Sequence, residues 1–200
     1  HRMRAPFNDP DWEIWGCNDG WTWMPNADRM FELHSPWVYE WHLRRASGHV
    51  EQLAAFEGPI YMIEAREDVP CSIAFPLEAV NAEIPWVTKL AEDGTTVHQE
   101  PYLTSTIAYM LALALVEGWQ TIGLFGIDMA AMTEYQIQRP CCEYLLGLAR
   151  ARGVEIILPD NCWLMTGPLY GRGAMNPGGE RIGQMQLEDR LKELQQQEEP

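Results

Sequence analysis

Tyr102-Leu103-Thr104-Ser105-Thr106-Ile107-Ala108-Tyr109-Met110-Leu111-Ala112-Leu113-Ala114-Leu115-Val116, then Gly118, then Thr121-Ile122-Gly123-Leu124-Phe125-Gly126-Ile127-Asp128: this stretch decides the fold. From Ile107 to Val116 it is almost entirely apolar, the pattern of a helix buried on all sides. Gly118 is a helix stop. The run from Thr121 reads as a buried strand ending in a Gly-x-Asp loop. A helix from about Thr133 to Arg152 follows, closed by Gly153, and Val154-Glu155-Ile156-Ile157-Leu158-Pro159 is a further buried strand. Helix, strand, helix, strand with connections this short implies right-handed parallel crossovers. The expected class is α/β, with a doubly wound, mostly parallel sheet flanked by helices.

Upstream, Ala5-Pro6-Phe7-Asn8-Asp9-Pro10-Asp11 is rich in turn formers. Glu13 to Cys17 reads as a short buried strand ended by Asn18-Asp19-Gly20, and Met30 to His34 as a second strand. Pro36 and Trp37 open a helix that Gly58-Pro59 stops. Ile60 to Ile63 is a third strand and Ser72 to Phe75 a fourth. Residues 75–80 hold one helical turn, and Asp93-Gly94-Thr95-Thr96 is a loop or hairpin tip. The α/β domain is expected over 5–170, a Gly-rich linker over 171–179, and a polar helical tail over 180–200.

The chain has 200 residues, 46% hydrophobic and 22% charged, which excludes a wholly disordered or fibrous protein. Fourteen Lys and Arg against 29 Asp and Glu give a formal net charge of −15. A direct nucleic-acid binder needs a basic footprint, and none is present. No apolar run is long enough to span a bilayer, so no membrane partner is expected. The five cysteines, 17, 71, 141, 142 and 162, lack the spacing of a disulfide scaffold or a zinc site. Most of them sit in apolar surroundings and read as buried thiols of a soluble cytoplasmic protein. His42 and His49 are seven apart but lack a third ligand, so no metal centre is expected.

In an open parallel sheet, ligands bind beyond the C-terminal ends of the strands. That rule collects Cys17-Asn18-Asp19, His34-Ser35, Thr104-Ser105-Thr106, Asp128 with Glu134, Tyr135 and Arg139, and Asp160-Asn161. Thr104 and Ser105 at a helix N-terminus suit plain N-capping, and also suit the phosphate of a nucleotide. Asn18 reads a base or ribose, or forms a turn. Asp128 orients an acceptor or acts as general base, or caps the next helix. His34 is an acid/base group or a structural histidine. Tyr135 and Arg139 hold an anionic or sugar substrate, with Arg139 neutralising leaving-group charge, or lie on an ordinary helix face. Trp12, Trp15, Trp21, Trp23, Trp37 and Trp41 stack on sugars or bases, pack the core, or form an oligomer surface.

Ala5 to Gly16, Asp28 to His34, Gly123 to Met129, Glu134-Tyr135, Gln138-Arg139 and Leu169-Tyr170-Gly171 resemble a set of uncharacterised phage-encoded Rossmann-like proteins. In those relatives a short strand and a Gly-rich turn precede this start, so a first strand is expected to be missing here or supplied by another chain. More distantly, Cys17-Asn18, Thr104-Ser105, Gly118, Gly126-Ile127-Asp128 and Pro159 to Leu164 are similar to the bacterial sialyltransferases of glycosyltransferase family 42. They are similar too to pterin diphosphokinase-like proteins of the motility-accessory type.

The sialyltransferase resemblance implies nucleotide contacts at Asn18, Thr104 and Ser105, and a donor-phosphate contact at Tyr135. The family's general-base His has no counterpart in Gln138-Arg139-Pro140-Cys141-Cys142, which points away from sialyl transfer itself. The expectation is a phage-encoded, glycosyltransferase-like transferase that takes a nucleotide or nucleotide-sugar donor without a tightly bound cofactor. It would act in the cytoplasm of an infected host. The alternative is a non-catalytic, virion-associated or host-directed interaction protein, as a homo-oligomer or with a phage protein partner.

Overall fold

A computed structural model describes residues 2–35, 48–127, 129, 135–160 and 162–166. They form two compact units, one within residues 5–119 and the other made of residues 2–4 with those from 120 onward. The division after Trp119 falls inside the 5–170 span expected as one domain. The expected linker and tail, 171–200, lie outside the described residues, as does 36–47 of the helix expected from Pro36 to Phe56.

The first unit contains, in chain order, β1 (Trp15–Cys17), β2 (Arg29–Glu32), α1 (His49–Ala55), β3 (Ile60–Met62), β4 (Ser72–Ala74), α2 (Leu77–Glu83), β5 (Thr88–Leu90), β6 (Val97–Gln99) and α3 (Thr106–Glu117). β1 to β4 form one parallel sheet in the order β1-β2-β3-β4. The order advances in one direction, so no reversal of winding falls within this sheet. β5 and β6 form an antiparallel hairpin. Its tip is fixed by Asp93, whose carboxylate accepts from the amides of Thr95 and Thr96, both at 2.8 Å. The single helical turn expected near residues 75–80 is instead α2, which runs on to Glu83.

A parallel sheet must be covered on both faces. On one face Met30, Ile60 and Met62 pack with Leu53 of α1 and with Val69. On the other, Phe31 stacks on Tyr61 at 4.8 Å and Trp15 lies 5.2 Å from Phe31. Phe75, just past β4, meets Tyr61 and, from α3, Tyr109 edge-on at 6.3 and 4.9 Å. Met30, Phe31, Leu53 and Ile60 are all buried. Each such burial stabilises by about 1.5–3 kcal/mol.

Two tight approaches set the entry to β2. Asp28 and Ile14 clamp each other, the amide of each donating at 2.7 Å, one to a carboxylate and one to a carbonyl. Gly58 passes so close that a Cβ there would lie 2.5 Å from the Asp28 carbonyl oxygen and 2.8 Å from the Phe56 ring.

α3 follows its composition. Ala108 and Leu111 to Leu115 are all buried, and Gly118 ends the helix at φ +78°, a left-handed conformation that glycine adopts without strain. In the second unit β7 (Thr121–Gly123) and β8 (Glu155–Ile157) pair in parallel, with α4 (Tyr135–Ala151) between them in sequence. β7 covers Thr121 to Gly123, and the Gly-x-Asp loop expected to end the strand reaches Asp128, outside the described residues. On α4, Cys141, Cys142, Leu145, Leu146 and Ala149 are buried, one stripe at helical spacing. Among the described residues no helix is long and apolar enough to cross a membrane.

Candidate functional site

Because β1, β2 and β3 are parallel, the residues leaving their C-terminal ends share one edge of the sheet. β1 delivers Asn18, β2 delivers His34, and β3 delivers the loop from Ile63. A recess of about 440 Å³ lies on this edge, bordered by His34 and by Met62 to Asp68. That volume is in the range of small-molecule sites.

The loop beside the recess is stapled in place. The Ser72 hydroxyl accepts from the Arg66 amide at 2.8 Å and donates to the Arg66 carbonyl at 3.1 Å. The Arg66 guanidinium meets both carboxylate oxygens of Asp68, at 2.9 and 3.0 Å. Val69, wholly buried, anchors the far end of the loop in the core.

At the inner edge lies a buried carboxylate between two imidazoles. Glu32 is 2% exposed. Its Oε1 is hydrogen-bonded by Nδ1 of His34, and its Oε2 lies 2.9 Å from Nε2 of His49. His49 Nδ1 accepts from the Trp21 indole N–H at 2.9 Å. An indole can only donate, so His49 must carry its proton on Nε2 and give it to Glu32. An ionised carboxylate can only accept, so His34 donates from Nδ1. Burial by itself would raise the Glu32 pKa. The hydrogen bonds from His34 and His49 outweigh it and hold the carboxyl down at about 2.

His34 is the outward member of this chain, with 26% of its side chain exposed at the recess. In the sequence His34 stands open between acid/base group and structural histidine. The structure gives it a buried carboxylate partner and a place beside a cavity. The sequence alone does not place Glu32 and His49 in the site, although it carries a usable signal for Glu32. Residues i and i+2 of an extended chain share a face, so Glu32-x-His34 at a strand end places both groups together.

Asn18 sits at φ +52°, a left-handed turn that Asn tolerates better than most residues. Its side-chain oxygen lies 3.5 Å from the Thr106 hydroxyl at the start of α3, bringing two of the expected elements together. Ser105 is the N-cap, its hydroxyl accepting from the Ala108 amide at 3.2 Å. Thr104 directly precedes it, partly buried. Beside Asn18, burial, reinforced by the charges of Glu32 and Asp19, pushes the Cys17 thiol up to about 12. Cys17 is therefore no nucleophile at neutral pH.

The other expected residues belong to the second unit. Arg139 on α4 bonds Glu143 at 2.8 Å and the Thr166 carbonyl at 2.8 Å. Glu143 also accepts from the Met165 amide at 2.9 Å. Together they fasten the segment around Met165 to α4. Asp128, Glu134 and Asn161 lie outside the described residues, as does the side chain of Tyr135. Of the tryptophans, Trp15 and Trp21 are committed to packing and hydrogen bonding, and Trp23 lies edge-on to Phe7 at 6.5 Å. Trp37 and Trp41 are outside the described residues. Among the described residues no group of three or more metal-ligating side chains converges.

Compared with known proteins, the chain matches no family model, no curated protein and no solved structure.

Proposed function

We propose that this protein is a phage-encoded, nucleotide- or nucleotide-sugar-handling transferase of glycosyltransferase-like type on a doubly wound, Rossmann-like sheet. The observation that carries the reading is the approach of Asn18 to Thr106. It joins the turn after β1 to the N-terminal end of α3, and a helix N-terminus beside a strand-end turn suits a phosphate and its nucleoside. Thr104 and Ser105 flank that end, and the recess beside His34 lies on the same edge of the sheet. In this reading Asn18 contacts the base or ribose and the α3 start holds the phosphate.

The test is a thermal-shift panel with CMP, UDP, GDP and ADP on the wild type and on Asn18→Gly. Glycine keeps the left-handed turn and removes the amide. A ligand at a hundred-fold excess over its Kd stabilises the native state by about 2.7 kcal/mol. A shift with one nucleotide, lost in Asn18→Gly, supports the reading. No shift at millimolar nucleotide, or one that survives the substitution, overturns it.

A second reading, a non-catalytic interaction protein, is favoured by the β5–β6 hairpin. Val87, Leu90 and Val97 are 67%, 63% and 62% exposed there, an apolar patch on an open two-stranded ribbon. Sedimentation of the wild type against a Leu90→Lys/Val97→Lys variant tests it. A large assembly that the variant dissolves supports this reading, and an unchanged monomer removes it.

A further inference from the structure

We propose that the β5–β6 ribbon receives a strand of another protein at its open edge, a segment apolar at its centre, beside Leu90 and Val97, and basic at both ends. This docking does not depend on the transferase reading, and it gives the exposed hairpin patch an occupant other than a second copy.

The register sorts the side chains of the ribbon onto two faces. Leu90 stands opposite Val97, Thr88 opposite Gln99 and Lys89 opposite His98. Alternate residues of a strand share a face, so Thr88, Leu90, Val97 and Gln99 lie together on one that carries no charge. Lys89 and His98 lie on the other, and Lys89 is ion-paired with Glu100. Every residue of both strands is exposed. A two-stranded hairpin left bare on both faces is marginal by itself.

The main chain at the edges is open as well. The Ala91 amide donates to the Thr96 carbonyl at 2.8 Å, so Ala91 and Thr96 form a hydrogen-bonded pair. Such pairs alternate along an antiparallel ladder. Lys89–His98 is therefore the next, and Thr88, Leu90, Val97 and Gln99 turn their N–H and C=O groups outward. Among the described residues β5 and β6 pair only with each other. An added strand would take up the outward groups and set its own apolar side chains beside Leu90 and Val97, as in other cases of recognition by strand addition.

Charge chooses the partner. Glu92 and Asp93 stand at the tip of the ribbon and Glu100 directly after β6, so carboxylates bracket the uncharged centre at both ends. Hydrogen bonds from the Thr96 hydroxyl and from the amides of Thr96 and Thr95 hold the Asp93 carboxyl down at about 2, so it stays ionised. Lys89 is the one Lys or Arg from Thr88 to Glu100, and it is already engaged. A segment with Lys or Arg at its ends meets opposite charge there. A second copy brings the same carboxylates on a chain of net charge −15, and like charge repels it. Nor does the face suit a lasting dimer. Three residues per strand give a length of roughly 10 Å. That is room for one strand, and far short of the about 1,200–2,000 Å² that stable interfaces bury.

Fluorescence anisotropy tests the docking, with the wild-type chain titrated into a dye-labelled peptide, Lys-Lys-Val-Thr-Val-Thr-Lys-Lys. Two control peptides carry Glu in place of Lys, or Ser in place of Val. The Lys–Val peptide is expected to bind, more weakly as salt rises, and each control to bind about tenfold more weakly or worse. Leu90→Ser/Val97→Ser is expected to lose about tenfold in affinity for the Lys–Val peptide, and Glu92→Gln to flatten the salt dependence. Amide hydrogen exchange of the wild type supplies a reading that needs no variant to fold. The amides of Thr88 and Leu90, or those of Val97 and Gln99, are expected to slow when the peptide is bound. No binding of the Lys–Val peptide at millimolar concentration overturns the proposal. Equal binding of either control peptide overturns it too, and so does a bound peptide that slows none of these four amides. A wild-type assembly in sedimentation that Leu90→Ser/Val97→Ser dissolves gives the face to a second copy, which overturns the docking and supports self-assembly in its place.

Discussion

The Trp21 indole donates to Nδ1 of His49 at 2.9 Å, and that one bond decides where the His49 proton sits. The proton is left on Nε2, aimed at a carboxylate that is 2% exposed. A partly buried tryptophan packed against the core thereby controls the polarity of a hydrogen-bond chain that ends at the recess.

Trp21→Phe keeps most of the ring and deletes the donor. His49 Nδ1 then loses a partner in a buried setting, a cost of about 1–3 kcal/mol. Urea denaturation should show that loss, and nitrogen-15 spectra should show His49 no longer confined to one tautomer. Unchanged stability with an unchanged tautomer would contradict the bond's role.

Acid should act through Glu32. Its folded pKa, about 2, lies below its ordinary value of 4.5, so the native state favours the ionised form. The resulting stability is fully present above pH 4.5 and is lost as pH falls from there toward 2. The loss is on the order of 3 kcal/mol across that interval. Glu32→Gln should flatten this part of the stability-versus-pH curve, measured by chemical denaturation at fixed pH steps.

Gly58→Ala should destabilise by about 1–3 kcal/mol, since the added methyl meets the Asp28 backbone and not a pliable side chain. Gly16→Ala is the control. Its nearest neighbours are the Met30 and Met24 sulfurs, at 2.6 and 3.0 Å, ends of flexible chains that can yield. The Gly58 variant should therefore melt lower than the Gly16 variant in the same buffer.

Ser105→Ala removes the N-cap of α3 and should cost about 1 kcal/mol, while Ser105→Asp should retain most of the stability. Thermal denaturation of the three proteins side by side checks the order.

The Cys17 thiol should resist iodoacetamide at pH 8, because a pKa of about 12 leaves on the order of one molecule in ten thousand as thiolate. Mass spectrometry of the native protein should find Cys17 unmodified under conditions that alkylate it in urea.

How much of this was legible depends on the range of the interactions. α3 announced itself, because an apolar run capped by Ser105 and stopped by Gly118 is a local pattern. The β1 to β4 segments were legible as apolar stretches between turns, and the Asp93 turn as a hairpin tip. The winding of the sheet was not, since parallel register such as Met30 against Ile60 is written in no single segment. At the site, Asn18 and Ser105 could be named from their places beside a strand and a helix. The bond from His49 to Glu32 could not, because it depends on α1 settling over β2. In the sequence His49 stands out only as half of a metal pair with His42. Arg139 looked like a substrate ligand for a related reason. Its ties to Glu143 and Thr166 appear only once α4 and the Met165 segment are brought together.

The order β1-β2-β3-β4 also bears on how the chain assembles. Trp15 pairs with Arg29, Met30 with Ile60, and Ile60 with Ser72, so each strand finds its neighbour in the segment made just before it. A sheet of this order can grow by one strand at a time as the polypeptide leaves the ribosome, without waiting for residues near the C-terminus. The closures are short, and each costs less chain entropy than a sheet that must recruit distant strands. The Glu32–His49 bond needs only β2 and α1, so it can close before β3 joins the sheet, and the polar core of the site is among the first tertiary contacts open to the nascent protein.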